Sequence, residues 1–226
     1  KYFPERADEL ELLFAINSSF IIKDISQPIA LFLLGPPSSG KTTCLELLKS
    51  LPNIIWRDNI TPAALVSGVR DMDPEDMLLY QLPDHTLIVP EFAPLSQNAN
   101  AKQIMADFTR LLDSNGMVRH TGNGPVGFTK AMKFNLLGAT VRFSTKTWEL
   151  MSTMGPRLVF LRLENSSNSV SEISKQLTKI SKDRNYAEKL DIGKKIVLAF
   201  YEKISKMYPT GIGIHPEKDC RTTMLR

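Results

Sequence analysis

Residues 35–42 combine glycine, serine, lysine and threonine at a spacing suited to phosphate chemistry, reading Gly-Pro-Pro-Ser-Ser-Gly-Lys-Thr. Gly35 and Gly40 permit the backbone angles by which a short loop turns successive N–H groups toward an anion. In this pattern the lysine ammonium reaches the β and γ phosphates, and the threonine hydroxyl is a magnesium ligand. The segment therefore predicts a P-loop that binds ATP with Mg²⁺.

The sequence context of this loop agrees with the prediction. A continuous apolar run at residues 29–34 precedes it, and a helix-forming stretch at residues 41–49 follows it, which predicts a buried strand, a glycine loop and a helix. A chance match to the motif is the alternative. The residues expected to contact the nucleotide are Gly35, Pro36, Pro37, Ser38, Ser39, Gly40, Lys41, Thr42 and Thr43.

A carboxylate for hydrolysis is expected at the carboxyl end of a buried strand beside the P-loop strand. Residues 87–92, Leu-Ile-Val-Pro-Glu-Phe, have this form. In P-loop ATPases a first acid after such a strand helps to hold magnesium, and a second acid orients the attacking water. Pro90 occupies the first position, so Glu91 is predicted to polarise the water and to contact, through water, the magnesium that Thr42 binds. The alternative is an acid that merely ends a strand.

The remaining segments place the loop in an α/β fold. Apolar runs predict a parallel five-stranded sheet flanked by helices. The predicted strands are residues 29–34, 53–57, 86–90, 134–138 and 158–163, and the predicted helices are residues 5–16, 41–49 and 102–112, with another opened by Thr61 and Pro62. After a polar break at residues 164–169, the apolar spacing is helical and predicts a small C-terminal lid. We therefore expect a core at residues 1–163, a lid at 164–208 and a tail or linker at 209–226.

Bulk composition limits the cellular setting. The net charge of +4 and the pI of about 9.0 would suit a polyanionic partner, but the excess is weaker than in dedicated DNA-binding modules. Cys44 and Cys220 have no metal-ligand spacing, which favours a reducing compartment. The longest apolar run is too short to cross a bilayer, and no signal peptide is visible. These features predict a cytoplasmic protein with no membrane association.

The order of these motifs resembles that of the AAA+ ATPases. The P-loop is followed by a strand that ends in Pro-Glu-Phe, then by a strand that ends at residues 138–140, Gly-Ala-Thr, and then by Gly-Pro-Arg before a last strand. The chain is most similar to minichromosome-maintenance-like helicases and their divergent relatives in viruses, plasmids and other mobile elements. This resemblance covers residues 10–205, and only the P-loop is a specific motif in it. Pro90 departs from the family's Asp-Glu-Phe element.

The resemblance implies further site residues and an assembly. Thr140 is expected to be the sensor-1 residue that positions water, although it could instead be a strand-end hydroxyl that caps the next turn. Arg157 is expected to be an arginine finger for a neighbouring subunit, in a homo-oligomer that is usually a hexamer. The alternative for Arg157 is a solvated loop arginine, with Arg142 or Arg162 in its place.

Residues 114–134 are predicted to form a glycine-turned hairpin that carries basic side chains. Relatives have a DNA-contacting hairpin at this position, so the resemblance implies DNA contacts from Arg119, His120, Lys130 and Lys133. A plain solvated hairpin remains an equal alternative. The acidic run at residues 71–76 fits the start of a helix better than a metal site.

The leading functional prediction is an ATPase module that drives a DNA helicase or translocase in replication of a mobile element. The alternative is a nucleotide-dependent switch or scaffold that hydrolyses ATP weakly and recruits partner proteins, and Pro90 favours it. A small-metabolite kinase is a third possibility, but the polar lid and the late Gly-Pro-Arg element fit it less well.

Overall fold

The structure is a computed structural model that describes residues 6–23, 27–67, 73–97, 100–113, 116–122, 124–130, 132–143, 145–152, 158–163 and 186–213. Up to residue 163, strands of the central sheet alternate with helices along the chain, so the fold is α/β as predicted. The proposed finger Arg157 lies outside the described residues. Within the ranges given, no helix has the length and apolar character needed to cross a membrane.

Five parallel strands form the central sheet, which confirms the predicted sheet. They are β1 (Ile29–Leu34), β2 (Ile54–Trp56), β3 (Thr86–Val89), β6 (Asn135–Thr140) and β7 (Leu158–Arg162), in the spatial order β2-β3-β6-β1-β7. The P-loop strand β1 therefore pairs with β6 and β7. The prediction that the acid-bearing strand lies beside the P-loop strand is wrong, because β6 pairs with both and separates them. The five strands come from similar apolar runs, so the sequence contains no signal for their spatial order.

Strands β1 and β6 are apolar because helices cover both faces of the sheet. Along β1, Ala30 and Phe32 join one core cluster, and Leu31 and Leu33 join the other. This alternation follows from the two-residue period of a strand. The bounds of β1 are those that its apolar run predicted, and every residue of β6 is buried.

The helices form one layer on each face of the sheet. The first layer contains α3 (Pro62–Leu65), α4 (Leu78–Gln81), α5 (Ala93–Gln97), α6 (Ala101–Leu112) and α7 (Thr145–Ser152). The second contains α1 (Ala7–Ser18), α2 (Lys41–Glu46) and α8 (Tyr186–Met207). Turns continue from α2 through residues 47–50, so the predicted helix at 41–49 ends its regular part early. Thr61 caps α3 by accepting a hydrogen bond from the Ala64 amide at 3.1 Å, as its sequence predicts.

The hairpin predicted within residues 114–134 is present. Strands β4 (Met117–Thr121) and β5 (Gly124–Phe128) pair antiparallel, separate from the central sheet. In the described part of the acidic run, a 3₁₀ turn at Pro74–Asp76 begins where Asp73 accepts a hydrogen bond from the Glu75 amide at 3.0 Å. The described part of the run therefore forms a helical turn, which agrees with the predicted helix start.

Helix α8 supplies the described part of the predicted lid. Its Val197 is buried in the core cluster that α1 and α2 form on the second face of the sheet. Phe200 contacts Phe14 of α1, with ring centroids 6.0 Å apart. Beyond α8, Ile212 forms a parallel bridge with Ile22, so the first residues of the predicted tail are attached to the core. The division into a separate lid domain stays a prediction, because residues 164–185 and 214–226 are not described.

Buried polar side chains join α1 to the amino ends of the strands. Asn17 accepts a hydrogen bond from the Thr86 hydroxyl at 2.8 Å and one from the Asn53 amide at 3.2 Å. Asn135, the first residue of β6, donates to the Ile16 carbonyl at 2.8 Å. Because buried amides are costly when unpaired, these bonds fix the position of α1 on the sheet.

Close packing between β1 and β6 requires a glycine. Gly138 lies opposite Phe32 in the register of the two strands. A Cβ atom at position 138 would be 2.5 Å from the Phe32 ring, which is too close for ordinary van der Waals contact. The glycine therefore makes room for an aromatic side chain at the centre of the core.

We predict that Gly138→Ala lowers the free energy of unfolding by about 1–3 kcal/mol, because the added methyl group overpacks the core. Urea denaturation measures this change. Gly122→Ala is the matched control, since no atom lies within 4 Å of a Cβ built there, and it should change stability little. Equal effects of the two substitutions would contradict the packing argument.

Candidate functional site

The loop between β1 and α2 has a glycine at each end for a different reason. At Gly35 a Cβ atom would lie 2.7 Å from the Leu163 carbonyl oxygen and 2.8 Å from Ser39 Oγ, so the base of the loop is packed too tightly for a side chain. Gly40 has a φ of +82°, a left-handed conformation that glycine adopts at little cost, and α2 begins at the next residue. The predicted strand, loop and helix are therefore all present in order.

Lys41 places a cation in the middle of this loop. Its Nζ donates to the carbonyl oxygens of Gly35 and Pro36, at 2.8 Å each, and to Ser39 Oγ at 3.3 Å. Only 7% of the residue is exposed. Burial lowers the pKa of the Lys41 ammonium, and the charge of the Glu91 carboxylate opposes this shift. The Glu91 carboxylate thus favours the charged form of Lys41.

The other predicted phosphate contacts lie around this cation. Pro36, Pro37 and Ser38 are exposed, and Thr42 in the first turn of α2 is exposed as well. Thr43 is half-buried, and its Oγ1 lies 2.6 Å from the Tyr186 hydroxyl oxygen. The loop therefore combines a desolvated ammonium with accessible hydroxyl groups, which is an arrangement able to hold an anion.

The carboxyl end of β6 connects the loop to the turn that carries the acid. The Gly35 amide donates to the Thr140 carbonyl at 3.3 Å, and the Phe92 amide donates to the Ala139 carbonyl at 2.8 Å. Glu91 is exposed, and its Oε1 accepts a weak hydrogen bond from the Ala93 amide at 3.3 Å. The acid therefore lies at the same edge of the sheet as the loop although β6 separates their strands.

Among the described residues, few protein groups are available to hold magnesium. In the part of the chain that the structure describes, no three His, Cys, Asp or Glu side chains cluster in a way that could hold a metal ion. Mg²⁺ usually keeps several waters and binds through one or two protein groups together with substrate phosphates. The Thr42 hydroxyl and the Glu91 carboxylate are oxygen groups of the kind that Mg²⁺ binds, whereas Pro90 offers no oxygen-bearing side chain.

The residues implied by the family resemblance have mixed placements. Thr140 ends β6 at the edge that carries the loop, but it is fully buried and its hydroxyl donates to the Arg142 carbonyl at 3.3 Å. This contact is the turn-capping role that was its alternative. Arg142 and Arg162 are exposed at the ends of β6 and β7. The sensor role of Thr140 and the finger role of Arg157 stay predictions.

The four basic residues of the hairpin region fall into two classes. Arg119 is used within the chain, since its guanidinium donates to the Pro62 and Val66 carbonyls at 2.8 Å each and to Asp107 Oδ2 at 2.6 Å. Lys133 donates to the Ser19 and Ile22 carbonyls at 2.7 and 3.0 Å. These contacts favour a structural role for both cations. His120 and Lys130 are exposed and therefore accessible to a partner.

Two residues that lie beside the loop, Arg6 and Tyr186, were not predicted from the sequence. A Cβ atom on Gly40 would lie 3.5 Å from Nε of Arg6, and Tyr186 meets Thr43 as described above. Tyr186 is 143 residues from Thr43 along the chain, so no local motif marks it. The packing of α1 and α8 against α2 brings both residues to the loop.

Comparison of the chain with protein-family models gives no match, and comparison with curated proteins gives no significant match. Assignment of a function therefore depends on the geometry of the loop and its surroundings.

We predict that Arg119→Ala lowers the free energy of unfolding by about 1–3 kcal/mol. The substitution removes charged hydrogen bonds and leaves the half-buried Asp107 carboxylate without its bond to Arg119. Burial already raises the pKa of the Asp107 carboxyl, and Arg119 opposes that shift by its charge and hydrogen bond. Urea denaturation measures the loss. Lys130→Ala, at an exposed cation of the same region, should change stability by less than about 0.5 kcal/mol. If Arg119→Ala is as stable as the unmodified protein, the internal bonds of Arg119 do not stabilise the fold, and Arg119 is again a candidate for DNA contact.

Proposed function

We propose that this chain is an ATP-binding and ATP-hydrolysing AAA+ module that drives a DNA helicase or translocase in replication of a mobile element. The observation that carries the proposal is the position of the Lys41 ammonium, at the centre of a glycine-turned loop between a buried strand and a helix. The charge of Glu91 acts on this ammonium from the neighbouring turn. A cation and an acid at one edge of a parallel sheet suit phosphoryl transfer.

Lys41, Glu91 and Thr42 each have a task in the proposed reaction. Lys41 exchanges its bonds to loop carbonyls for bonds to β and γ phosphate oxygens. Glu91 orients a water whose oxygen attacks the γ phosphorus, and it accepts the proton as the bond to the β–γ bridging oxygen breaks. Bound Mg²⁺ would neutralise phosphate charge, held by the Thr42 hydroxyl and by Glu91. ADP and phosphate are the products.

The strand order supports the AAA+ part of the proposal. Because β6 lies between β1 and β3, its end reaches both the P-loop and the Glu91 turn. Thr140 stands at that end, where the resemblance calls for a polar residue between acid and phosphate. Helix α8 begins beside the first turn of α2, which is where a lid would contact the site. The proposed finger Arg157 would be supplied to a neighbouring subunit of a hexamer.

A second candidate function is a nucleotide-dependent switch or scaffold with weak hydrolysis. Pro90 favours it, because the turn after β3 then offers a single carboxylate. The internal bonds of Arg119 and Lys133 also favour it, since they reduce the basic surface that the hairpin region presents to DNA. The two candidates differ in turnover and in the response of turnover to DNA.

We predict that Glu91→Gln lowers the rate of ATP hydrolysis at least about 100-fold and leaves ATP affinity nearly unchanged, because the amide cannot accept the proton. Steady-state phosphate release and calorimetric binding measure the two effects. Glu202→Gln, at an exposed glutamate of α8, is the matched control and should leave both unchanged. Lys41→Ala should abolish binding itself. Normal turnover by Glu91→Gln would remove Glu91 from the mechanism.

Single-stranded and double-stranded DNA separate the motor from the switch. A motor should hydrolyse ATP several-fold faster when DNA is present, whereas a switch should show no response. We expect stimulation, and we expect the double substitution His120→Ala, Lys130→Ala to reduce it, because both side chains are exposed. Lys203→Ala, at an exposed lysine of α8, is the control that should keep full stimulation. Absence of any response in the unmodified protein would favour the switch.

A further inference from the structure

Two aromatic side chains reach the surface beside the last strand of the sheet. Trp148 of α7 is 43% exposed, and Phe160 of β7 is 36% exposed. Their ring centroids are 4.9 Å apart, and the ring planes are inclined by 57°. Because the planes are far from parallel, the two rings do not cover each other face to face. Trp148 and Phe160 therefore form an aromatic patch in which part of each ring is accessible to a partner.

Buried rings hold this aromatic patch in place. Phe143 is only 7% exposed, and its ring centroid lies 5.2 Å from that of Trp148 and 6.0 Å from that of Phe160. Phe160 also stacks on Phe32 of β1, with centroids 6.0 Å apart and planes inclined by 29°. Phe32 is fully buried in the core of the sheet. The patch is thus preorganised, so a ligand that binds it need not first order these side chains.

Two exposed arginines border the aromatic patch. Side chains alternate between the two faces of a strand, so Arg162 lies on the same face of β7 as Phe160, with their Cα atoms about 7 Å apart. Arg142 immediately precedes Phe143, whose ring contacts both rings of the patch. Both arginines are exposed. Guanidinium groups therefore lie next to the accessible rings.

An acid also lies close to the patch in sequence. Glu149 follows Trp148 on α7 and is exposed. Neighbouring residues of a helix point about 100° apart, so the Glu149 carboxylate and the Trp148 ring point in different directions. A ligand that lies on the ring and extends toward the two arginines therefore does not have to contact the acid.

Aromatic rings bordered by guanidinium groups match the chemistry of single-stranded nucleic acid. Bases stack on aromatic side chains, and the phosphate backbone is attracted to nearby cations. A duplex cannot use the patch in this way, because its base faces are covered by the neighbouring base pairs. An apolar protein surface would use the rings but would leave the charges of Arg142 and Arg162 without a counterpart. The combination therefore favours a polyanion whose bases are accessible.

We propose that the aromatic patch binds single-stranded DNA, with bases stacked on its two rings and phosphates along the two arginines that border it. The patch is formed by α7 and β7, so it is a separate contact from the hairpin of β4 and β5. The choice of DNA over RNA rests on the proposed function. The site itself rests on the rings and charges described above and requires no ATP.

Tryptophan fluorescence reports on the patch directly, because the chain contains only two tryptophans, Trp56 and Trp148. Trp56→Phe leaves Trp148 as the emitter, and Trp148→Phe leaves Trp56. Each full-length variant is titrated, without ATP, with an oligothymidylate of about 20 nucleotides, which is long enough for a single binding domain. We expect the oligonucleotide to lower Trp148 emission about twofold or more, because a stacked base contacts the ring, and to leave Trp56 emission unchanged.

Affinity is measured by fluorescence anisotropy of the labelled oligonucleotide. Trp148→Ala should weaken binding about tenfold, the loss expected for one contact between a base and an aromatic ring. Trp148→Phe keeps a ring and should lose less. Arg142→Gln should reduce the slope of log affinity against log salt by about 0.7, the value for one phosphate contact with a single strand. Tyr208→Ala, which removes a 41% exposed ring after the end of α8, is the matched control and should leave affinity within about twofold.

Quenching confined to Trp148, together with the loss of affinity in Trp148→Ala, would support the proposal. Unchanged Trp148 emission across the titration would overturn it, and this result requires no destabilising variant. Tighter binding of an oligouridylate or of a DNA duplex would overturn the assignment to single-stranded DNA.

Self-association gives a different result. A blue shift of Trp148 emission with rising protein concentration, without any response to DNA, would overturn the proposal in favour of a contact between copies of the chain. Because ATP is absent throughout, a chain that quenches with DNA but hydrolyses no ATP would remove the proposed function and leave this inference supported.

Discussion

Two consecutive carbonyl groups at the end of β6 hold the candidate site together. Consecutive carbonyls of a strand point to opposite edges, so one can serve each neighbouring strand. The Ala139 carbonyl binds the turn that carries Glu91, and the Thr140 carbonyl binds the base of the loop at Gly35. Because β6 is buried throughout, both anchors are fixed by the core of the sheet. The relation between cation and acid therefore depends on a strand that contributes no charged side chain.

Helix α1 links the two ends of the sheet. At its carboxyl end, Asn17 and Asn135 fix it to the amino ends of the strands. Asn135 uses its amide donors for this purpose, and its Oδ1 has no hydrogen-bond partner in the described structure. An unpaired buried acceptor is costly, so the bonds to α1 offset a real penalty. At its amino end, the same helix places Arg6 beside the loop.

The sequence predicted what local pattern determines. The bounds of β1, the cap at Thr61 and the hairpin all follow from short-range rules, and the structure agrees with them. The order of the strands does not follow from such rules, because several runs have the same apolar character. The placement of Arg6 and the internal bonds of Arg119 depend on contacts between segments distant in sequence. No periodicity or motif encodes these contacts, and only the packed helices and strands reveal them.

Three basic side chains share one kind of environment. Lys41, Arg119 and Lys133 all donate to backbone carbonyl oxygens. For Arg119 a carboxylate completes the arrangement, so its charge is largely cancelled within the molecule. The hydrogen-bond acceptors of Lys41 in the loop are two carbonyls and a hydroxyl, which are neutral.

This difference from Arg119 explains why Lys41 suits an anion site. Carbonyl dipoles hold the Lys41 ammonium in position without neutralising its charge, so its field still extends to the exposed part of the loop. Burial lowers the pKa of Lys41 because water no longer stabilises the charged form, and a bound phosphate would restore that stabilisation. The loop is therefore an environment in which the cation gains more from an anion than a solvated surface lysine would gain.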